Sequence, residues 1–447
     1  MSEMRQLLMD TAVRLFEAAS MDEVFKAVEE GRLPLSHWRA IEENGLVDML
    51  LPEEAGGAAV GFGDAMAVAR AAGAFALPLP LVETMIGRWL LSGAGLGAPA
   101  GPLGVVTAAG RLEVAWPDEI SALVVSDAAD RVGWVAAGEF EFEHGTNGAG
   151  EPVGRLREPP PIPPGQSGGL DSERSPSTLM AVARAAMIAG AMERVLDLTI
   201  EHVQGRVQFG RPLARFQAVQ QLVAVMASHT AVVGVAADTA IAAVETVLDR
   251  HVGDATFMAG CAKARASEAC YEVTRIAHQL HGAIGYTREH DLHRFTRRLW
   301  AWRDADGDEG YWRQSVGEMA IRSGGAGLWP LLVETPGAAL ERLAPSFSSA
   351  VETGGRDGWG ERKRAVRWKA AEQRELRRRR RGARGLLRRP GTRTAEQRPV
   401  AVHDRERPGR RLLPRDRVRQ PDRASLDAGG MGAVGADEGG HRLHGRW

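Results

Sequence analysis

The stretch "RVQFGRPLARFQAVQ", Arg206 to Gln220, gathers Arg206, Gln208, Gln217 and the adjoining Gln221 around one turn between two apolar-periodic segments. Phe209 closes the first segment, Gly210 suits a left-handed helix terminus and Pro212 suits the start of a helix, so the spacing predicts a helix-turn-helix corner. A corner alone does not require these polar side chains, because water satisfies its open backbone groups. Polar side chains beside an exposed helix N-terminus favour an anion, and a phosphate is the expected ligand.

The elements that must hold this turn are mainly helical. Residues 4 to about 92 repeat apolar positions at three and four residues, as in "LLMDTAVRLFEAA" and "GDAMAVARAAGAFA", with Gly-rich breaks between. From about Pro102 the period shortens: "LGVVTAA", "LEVAW", "ALVVS", "VGWVAA" and "EFEFE" read as strands of a small antiparallel sheet. A Pro/Gly linker follows, and from Ser177 long Ala-rich segments are apolar on more than one stripe, as helices buried on several sides are. The expected domains are therefore an N-terminal helical domain (1–92), a small middle β-domain (93–156), a linker (157–176), a C-terminal helical bundle (177–345) and a basic tail (346–447).

The net charge of −1 conceals two regions of opposite sign. Residues 1 to 350 carry 29 Lys and Arg against 44 Asp and Glu, whereas residues 351 to 447 carry 27 against 13. The tail has no hydrophobic period and is expected to be disordered. Its basic tract offers an electrostatic footprint for nucleic acid, a reading ranked below a solvated tail. Arg replaces Lys there almost wholly, as in a GC-rich gene read out of frame, so a frameshift is a further reading. The two cysteines, Cys261 and Cys270, fall on opposite faces of a helix, which argues against a disulfide and for a reducing compartment. The first twenty residues lack a basic segment followed by an apolar run, and no stretch is expected to reach the ~18 apolar residues of a membrane span; a cytoplasmic location is the expectation.

Three passages in order resemble the acyl-CoA dehydrogenase family: "WRAIEENGLVDMLLPEEAGGAAVGFGD", "RVQFGRPLARFQAVQ" and "HQLHGAIGYTREHDLHRFTRR". The resemblance covers residues 1 to about 340 and implies a mainly α fold, in which an N-terminal helical domain and a truncated antiparallel β-domain precede a C-terminal four-helix bundle. It also implies FAD as cofactor. In similar proteins Arg206 meets the pyrophosphate, Gln208 lies beside it and Phe209 packs near the adenosine. Gln217 adds a contact, and Gln279 and Gly282 approach from a neighbouring subunit. Gly282 suits that place because close backbone approach to a phosphate leaves no room for a Cβ.

The family's reaction removes the α-proton of an acyl-CoA thioester with a carboxylate while a hydride leaves the β-carbon. Most relatives hold that base in a Tyr-Glu-Gly-Thr passage, where this chain reads "LWAWRDADGDEGYWRQ". Ungapped extension from Gly285 places Asp306 there, and a three-residue shift places Glu309, whose longer side chain favours it. Both also suit a solvated polar loop. The relatives' Thr-Glu-Pro-Gly-like passage is absent between Leu77 and Asp171. Such losses resemble one half of a heteromeric dehydrogenase. The leading expectation is an FAD-dependent acyl-CoA dehydrogenase subunit, homo-oligomeric or paired with a related subunit and passing electrons to an electron-transfer flavoprotein. The alternatives are a non-catalytic partner subunit and a helical binding protein with a nucleic-acid-binding tail.

Overall fold

Between Pro176 and Met192 Arg184 is the only charged residue, and the helix built on this stretch is buried all round. That helix, α6 (Pro176–Gly205), starts at Ser175, whose side chain accepts from the Thr178 amide, with Pro176 in the first turn. The computed structural model describes residues 3–19, 22–107, 112–126, 131–171, 173–251 and 254–328. The expected disorder of the tail lies outside them.

The N-terminal helices are α1 (Glu3–Ala19), α2 (Asp22–Glu29), α3 (Leu35–Glu43), α4 (Phe62–Ala74) and α5 (Leu81–Gly93). The backbones of α4 and α6 touch where they cross: a Cβ on Gly73 would meet the Met187 carbonyl, and one on Gly190 the Arg70 carbonyl, each at 1.9 Å. Arg70 reinforces the crossing through ion pairs to Glu193 of α6 and, at 2.8 Å, to Asp238 of the next helix. Within α5, Arg88 is paired to Glu42 and Asp48 at 2.7 and 2.8 Å, tying that helix to α3 and the turns after it.

The middle domain holds two small sheets. One has the strand order β1 (Leu103–Val106), β3 (Ala122–Ser126), β4 (Arg131–Ala136), β7 (Ser167–Gly169); the other has β2 (Glu113–Ala115), β6 (Pro152–Arg155), β5 (Glu143–Thr146). All pairs are antiparallel except β1 with β3. Val106, Val114, Ile120, Leu123, Val125 and Val135 form a small core of their own, because the alternating strand pattern turns these side chains to one side. Two details differ from the sequence reading. Strand β7 lies inside the expected linker and completes the larger sheet. Phe140 and Phe142 of "EFEFE" precede β5 and meet edge to face, with ring centroids 5.0 Å apart, beside this core.

The bundle continues with α7 (Gln217–Arg250), α8 (Thr256–His281), α9 (Leu292–Asp304) and α10 (309–328). Contrary to the expectation that no stretch reaches membrane-spanning length, α7 is long and apolar enough to qualify, with half of its most apolar window buried in the bundle. Cys261 and Cys270 are both free thiols. The architecture is the expected one of helices, small β-domain and helical bundle.

The expected helix-turn-helix corner is instead a β-hairpin. β8 (Val207–Gln208) pairs with β9 (Arg211–Pro212), and one helical turn, Leu213–Arg215, precedes α7. Phe209 and Gly210 both have positive φ, 53° and 76°, as the central residues of a tight two-residue hairpin turn do. Pro212 thus ends a strand and caps the short Leu213–Arg215 turn, and it does not open α7 itself.

Candidate functional site

A cavity of about 90 Å³ lies where α5, the β-domain and the bundle meet. Leu79, Trp116, Met187 and Trp302 supply apolar wall, and Glu83, Arg184 and Asp306 supply charge. Arg184 is buried on α6, so its guanidinium requires anions of its own. Its Nη2 donates to Glu83 Oε1 at 2.6 Å and its Nε to Asp306 Oδ2 at 2.7 Å. Burial opposes the guanidinium's charge, but Asp306 and Glu83 outweigh it and raise the pKa. Asp306 Oδ1 takes no hydrogen bond among the described residues. Another lining carboxylate, Glu151, is committed elsewhere: it accepts from buried Arg298 at 2.7 Å and from Asn147 at 3.0 Å.

The loop that carries Asp306 is gripped from beneath. Asp306 has φ 55°, a left-handed conformation that Asp tolerates better than most residues. Trp312 Nε1 donates to its carbonyl at 2.8 Å. Lys263, fully buried on α8, donates from Nζ to the carbonyls of Arg303 and Gly307 at 2.9 and 2.7 Å and to Ser267 Oγ at 3.0 Å. Three acceptors match the three protons of an ammonium. Burial pulls the Lys263 pKa down to about 8, although Asp306 and Cys270 favour the charge.

Replacing Lys263 by Met strips the buried Gly307 carbonyl of its donor and leaves that of Arg303 to the Ser267 hydroxyl, and is expected to destabilise the chain by about 1–3 kcal/mol, read from the urea midpoint. A second readout follows from linkage. The folded chain releases the Lys263 proton near pH 8 and the unfolded chain near 10.5, so between these values unfolding takes up a proton and stability rises with pH. Cys270, pushed up to about 12 by burial, contributes the opposite slope above pH 9. Between pH 8 and 9 the Lys263→Met variant should therefore lose a rise that the parent shows; an identical profile in both would show that Lys263 does not titrate as described.

The structure separates the two carboxylates expected at the base position. Asp306 lines the cavity, whereas Glu309 does not. Glu309 sits in the first turn of α10, 2.6 Å from Arg313 and 4.0 Å from Arg303. Its longer side chain is spent on those guanidinium groups, so the three-residue shift does not bring it to the cavity.

The other expected residues gather at a different end of the bundle. The rings of His202 and His281 stack at 4.4 Å, which sets the C-terminal ends of α6 and α8 side by side. Arg206, Gln208 and Phe209 on the hairpin, Gln217 at the start of α7, and Gln279 and Gly282 are all exposed there. Phe209 is 88% exposed and meets the Phe216 ring edge-on at 6.1 Å, so most of its ring does not pack the corner. Gly282 has φ 63° and ψ −146°, a conformation open essentially to glycine alone. A guanidinium, carboxamides, a free aromatic face and an open glycine backbone are what a dinucleotide requires, so these residues fit FAD. Twenty-two residues of helix separate Arg184 from Arg206, about 33 Å along α6. One chain therefore holds the cavity and the hairpin far apart.

Glu83, Arg184 and Lys263 escaped the sequence reading. A signal existed for two of them: Arg184 and Lys263 stand in helices otherwise apolar or small on most sides, and such charges must bring partners. Glu83 carries no comparable mark, because an acidic residue in a first helical turn is ordinary.

Known proteins resemble this chain in sequence and in fold. Residues 2–96 match the model of the acyl-CoA dehydrogenase N-terminal domain and residues 169–321 that of the C-terminal domain. The chain is 31% identical to acyl-CoA dehydrogenase IpdE2 of Mycolicibacterium smegmatis, over 67% of its own length and 93% of the relative's. It is 32% identical to IpdE2 of Mycobacterium tuberculosis, over 66% of this chain and 91% of that one. Among solved structures, the ChsE4-ChsE5 complex from Mycobacterium tuberculosis shares the fold with a TM-score of 0.60 at 22% identity, covering 72% of this chain and 98% of that one. With the two domain models spanning more than half the sequence and IpdE2 matched over nearly its whole length, the chain belongs to the acyl-CoA dehydrogenase family.

Proposed function

We propose that the chain is a subunit of an FAD-dependent acyl-CoA dehydrogenase that introduces an α,β double bond into an acyl-CoA, with Asp306 as the base. The observation that supports this most is the placing of Asp306, in a cavity between three domains and with one carboxylate oxygen uncommitted. The apolar walls would exclude water from the acyl group, and the Asp306 carboxylate would accept the α-proton. Arg184 and Lys263 would hold that carboxylate in place. FAD, when bound, supplies the hydride acceptor. Arg206, Gln208, Phe209, Gln217, Gln279 and Gly282 would hold its pyrophosphate and adenosine portion. The separation along α6 supports a site completed by two subunits.

Exposed Val225, Val232 and Val235 give α7 an apolar surface suited to a neighbouring subunit. The small β-domain and the missing Thr-Glu-Pro-Gly-like passage favour a partner that differs from this chain, as in the two-component name of the ChsE4-ChsE5 complex. An electron-transfer flavoprotein is the proposed acceptor, and a reducing, cytoplasmic setting is proposed from the two free thiols. A second reading, a non-catalytic partner subunit, is favoured by one observation: Asp306 already serves as counter-ion to Arg184.

Arg206→Ala tests the cofactor assignment. Loss of one charge-assisted hydrogen bond to phosphate costs about 1.5–3 kcal/mol, enough to lower flavin affinity roughly 10- to 150-fold. Arg206 is exposed at the bundle's end, so the unfolding midpoint should stay within about 0.5 kcal/mol of the parent. The flavin-to-protein absorbance ratio after gel filtration, with the chain expressed alone and with a related subunit, decides the matter. Equal flavin retention in variant and parent would remove Arg206 from the site.

A further inference from the structure

We propose that His202, His281 and His290 form a binding site for one divalent transition-metal ion of the zinc or cobalt class, at the end of the bundle where α6 and α8 finish. The three imidazoles come from separate segments: α6, the last residue of α8, and the turn before α9. One ring nitrogen of each lies within 4.8 Å of the other two. The rings of His281 and His290 stand edge to face at 4.7 Å, beside the stacked pair of His202 and His281.

His281 points most directly to a ligand. It is 6% exposed, and its Nδ1 hydrogen-bonds the Ala277 carbonyl at 2.7 Å. A carbonyl can only accept, so Nδ1 carries the proton and Nε2 presents a lone pair. That Nε2 is buried and has no hydrogen-bond partner among the described residues. A backbone carbonyl on one ring nitrogen and an open lone pair on the other is the arrangement that metal-ligating histidines share.

The other two rings require small adjustments. His202 is held by ring contacts and, among the described residues, by no hydrogen bond, so it can turn out of the stack to aim a nitrogen at the shared centre. His290 Nδ1 accepts from the Leu292 amide at 3.1 Å, which leaves the proton of a neutral ring on Nε2. Ligation through Nε2 moves that proton to Nδ1 and releases the amide. Of the neighbouring charges, Asp291 favours a cation and Arg206 opposes one. An all-imidazole donor set suits zinc, cobalt or nickel and excludes calcium and magnesium, which take oxygen ligands. Three protein ligands leave a fourth position for water. A metal here would brace the two segments bearing Arg206 and Gly282, yet the site requires neither flavin nor acyl-CoA.

The test uses the full chain, stripped with chelator and given Zn²⁺ or Co²⁺ alone. The parent should retain one equivalent of zinc through gel filtration, by elemental analysis, and with cobalt should show ligand-field bands in the visible. His202→Phe keeps the ring stack while removing a ligand, His281→Gln exchanges the buried imidazole nitrogen for a weakly ligating carboxamide oxygen, and His229→Gln, outside the cluster, is the control. The first two should bind about tenfold more weakly or worse, and the control like the parent. His202→Phe guards against misfolding, since it preserves ring packing. Absence of retained zinc in the parent, or equal retention by His202→Phe and His281→Gln, overturns the site; metal held by histidines elsewhere in the chain would give that second result.

Discussion

Asp306→Asn is expected to lower turnover of an accepted acyl-CoA by ~100- to 10,000-fold while flavin content stays near the parent's. The carboxamide keeps the size of the side chain, and its oxygen can still accept from Arg184 Nε. What it cannot do is take up the α-proton. Glu309→Gln is the companion measurement: with Glu309 paired to Arg313 outside the cavity, its activity should stay within about twofold, the size of effect that surface substitutions have. Both variants should be assayed in whichever assembly is active, alone or with a related subunit. Full activity of Asp306→Asn there would exclude it as the base and leave the non-catalytic partner subunit as the better reading.

The second large effect concerns Arg184, the cation between the cavity carboxylates Glu83 and Asp306. Arg184→Met retains most of the buried volume but leaves Glu83 and Asp306 facing one another without the guanidinium between them. Removing one member of a buried ion pair typically costs about 3–5 kcal/mol, because the remaining charge is stranded away from water. The unfolding midpoint in urea should fall accordingly. The triple variant Arg184→Met, Glu83→Gln, Asp306→Asn removes the stranded charges as well and should recover more than half of the loss. If the triple variant is no more stable than Arg184→Met alone, the damage lies in packing, and the electrostatic account of the cavity is wrong.

The helical segments were legible from the sequence because their apolar residues recur at helical spacing over long runs, and the strands because Val-rich stretches alternate between turn residues. The hairpin was not. Arg206 to Pro212 carries helix-stop and helix-start residues, and only the paired left-handed conformations of Phe209 and Gly210 reveal that two short strands lie between the helices. Strand β7 was missed for a similar reason: "QSGGL" has no apolar alternation, and its place is set by pairing with β4. Asp306 and Glu309 could not be separated by sequence, since three residues along a loop fix neither direction nor partner. Lys263 and Trp312 decide it by fastening the carbonyls of residues 303, 306 and 307. Those contacts join positions forty or more residues apart in the Lys263 case, beyond the range of any local pattern.

Phe209 sits in a left-handed conformation, which costs a bulky side chain on the order of 1–2 kcal/mol, and leaves its ring almost wholly in water. Among the described residues the Phe216 ring, met edge-on, is the aromatic contact that offsets part of this cost. Because Gly210 and the β8–β9 pairing hold the turn, the backbone ordering that a loose loop would undergo on docking is completed during folding. The ring is therefore presented preorganised: whatever surface receives it gains the burial of an aromatic face without ordering the segment that bears it. Slower dissociation, more than faster association, is the kinetic mark such a tip should leave on its complex.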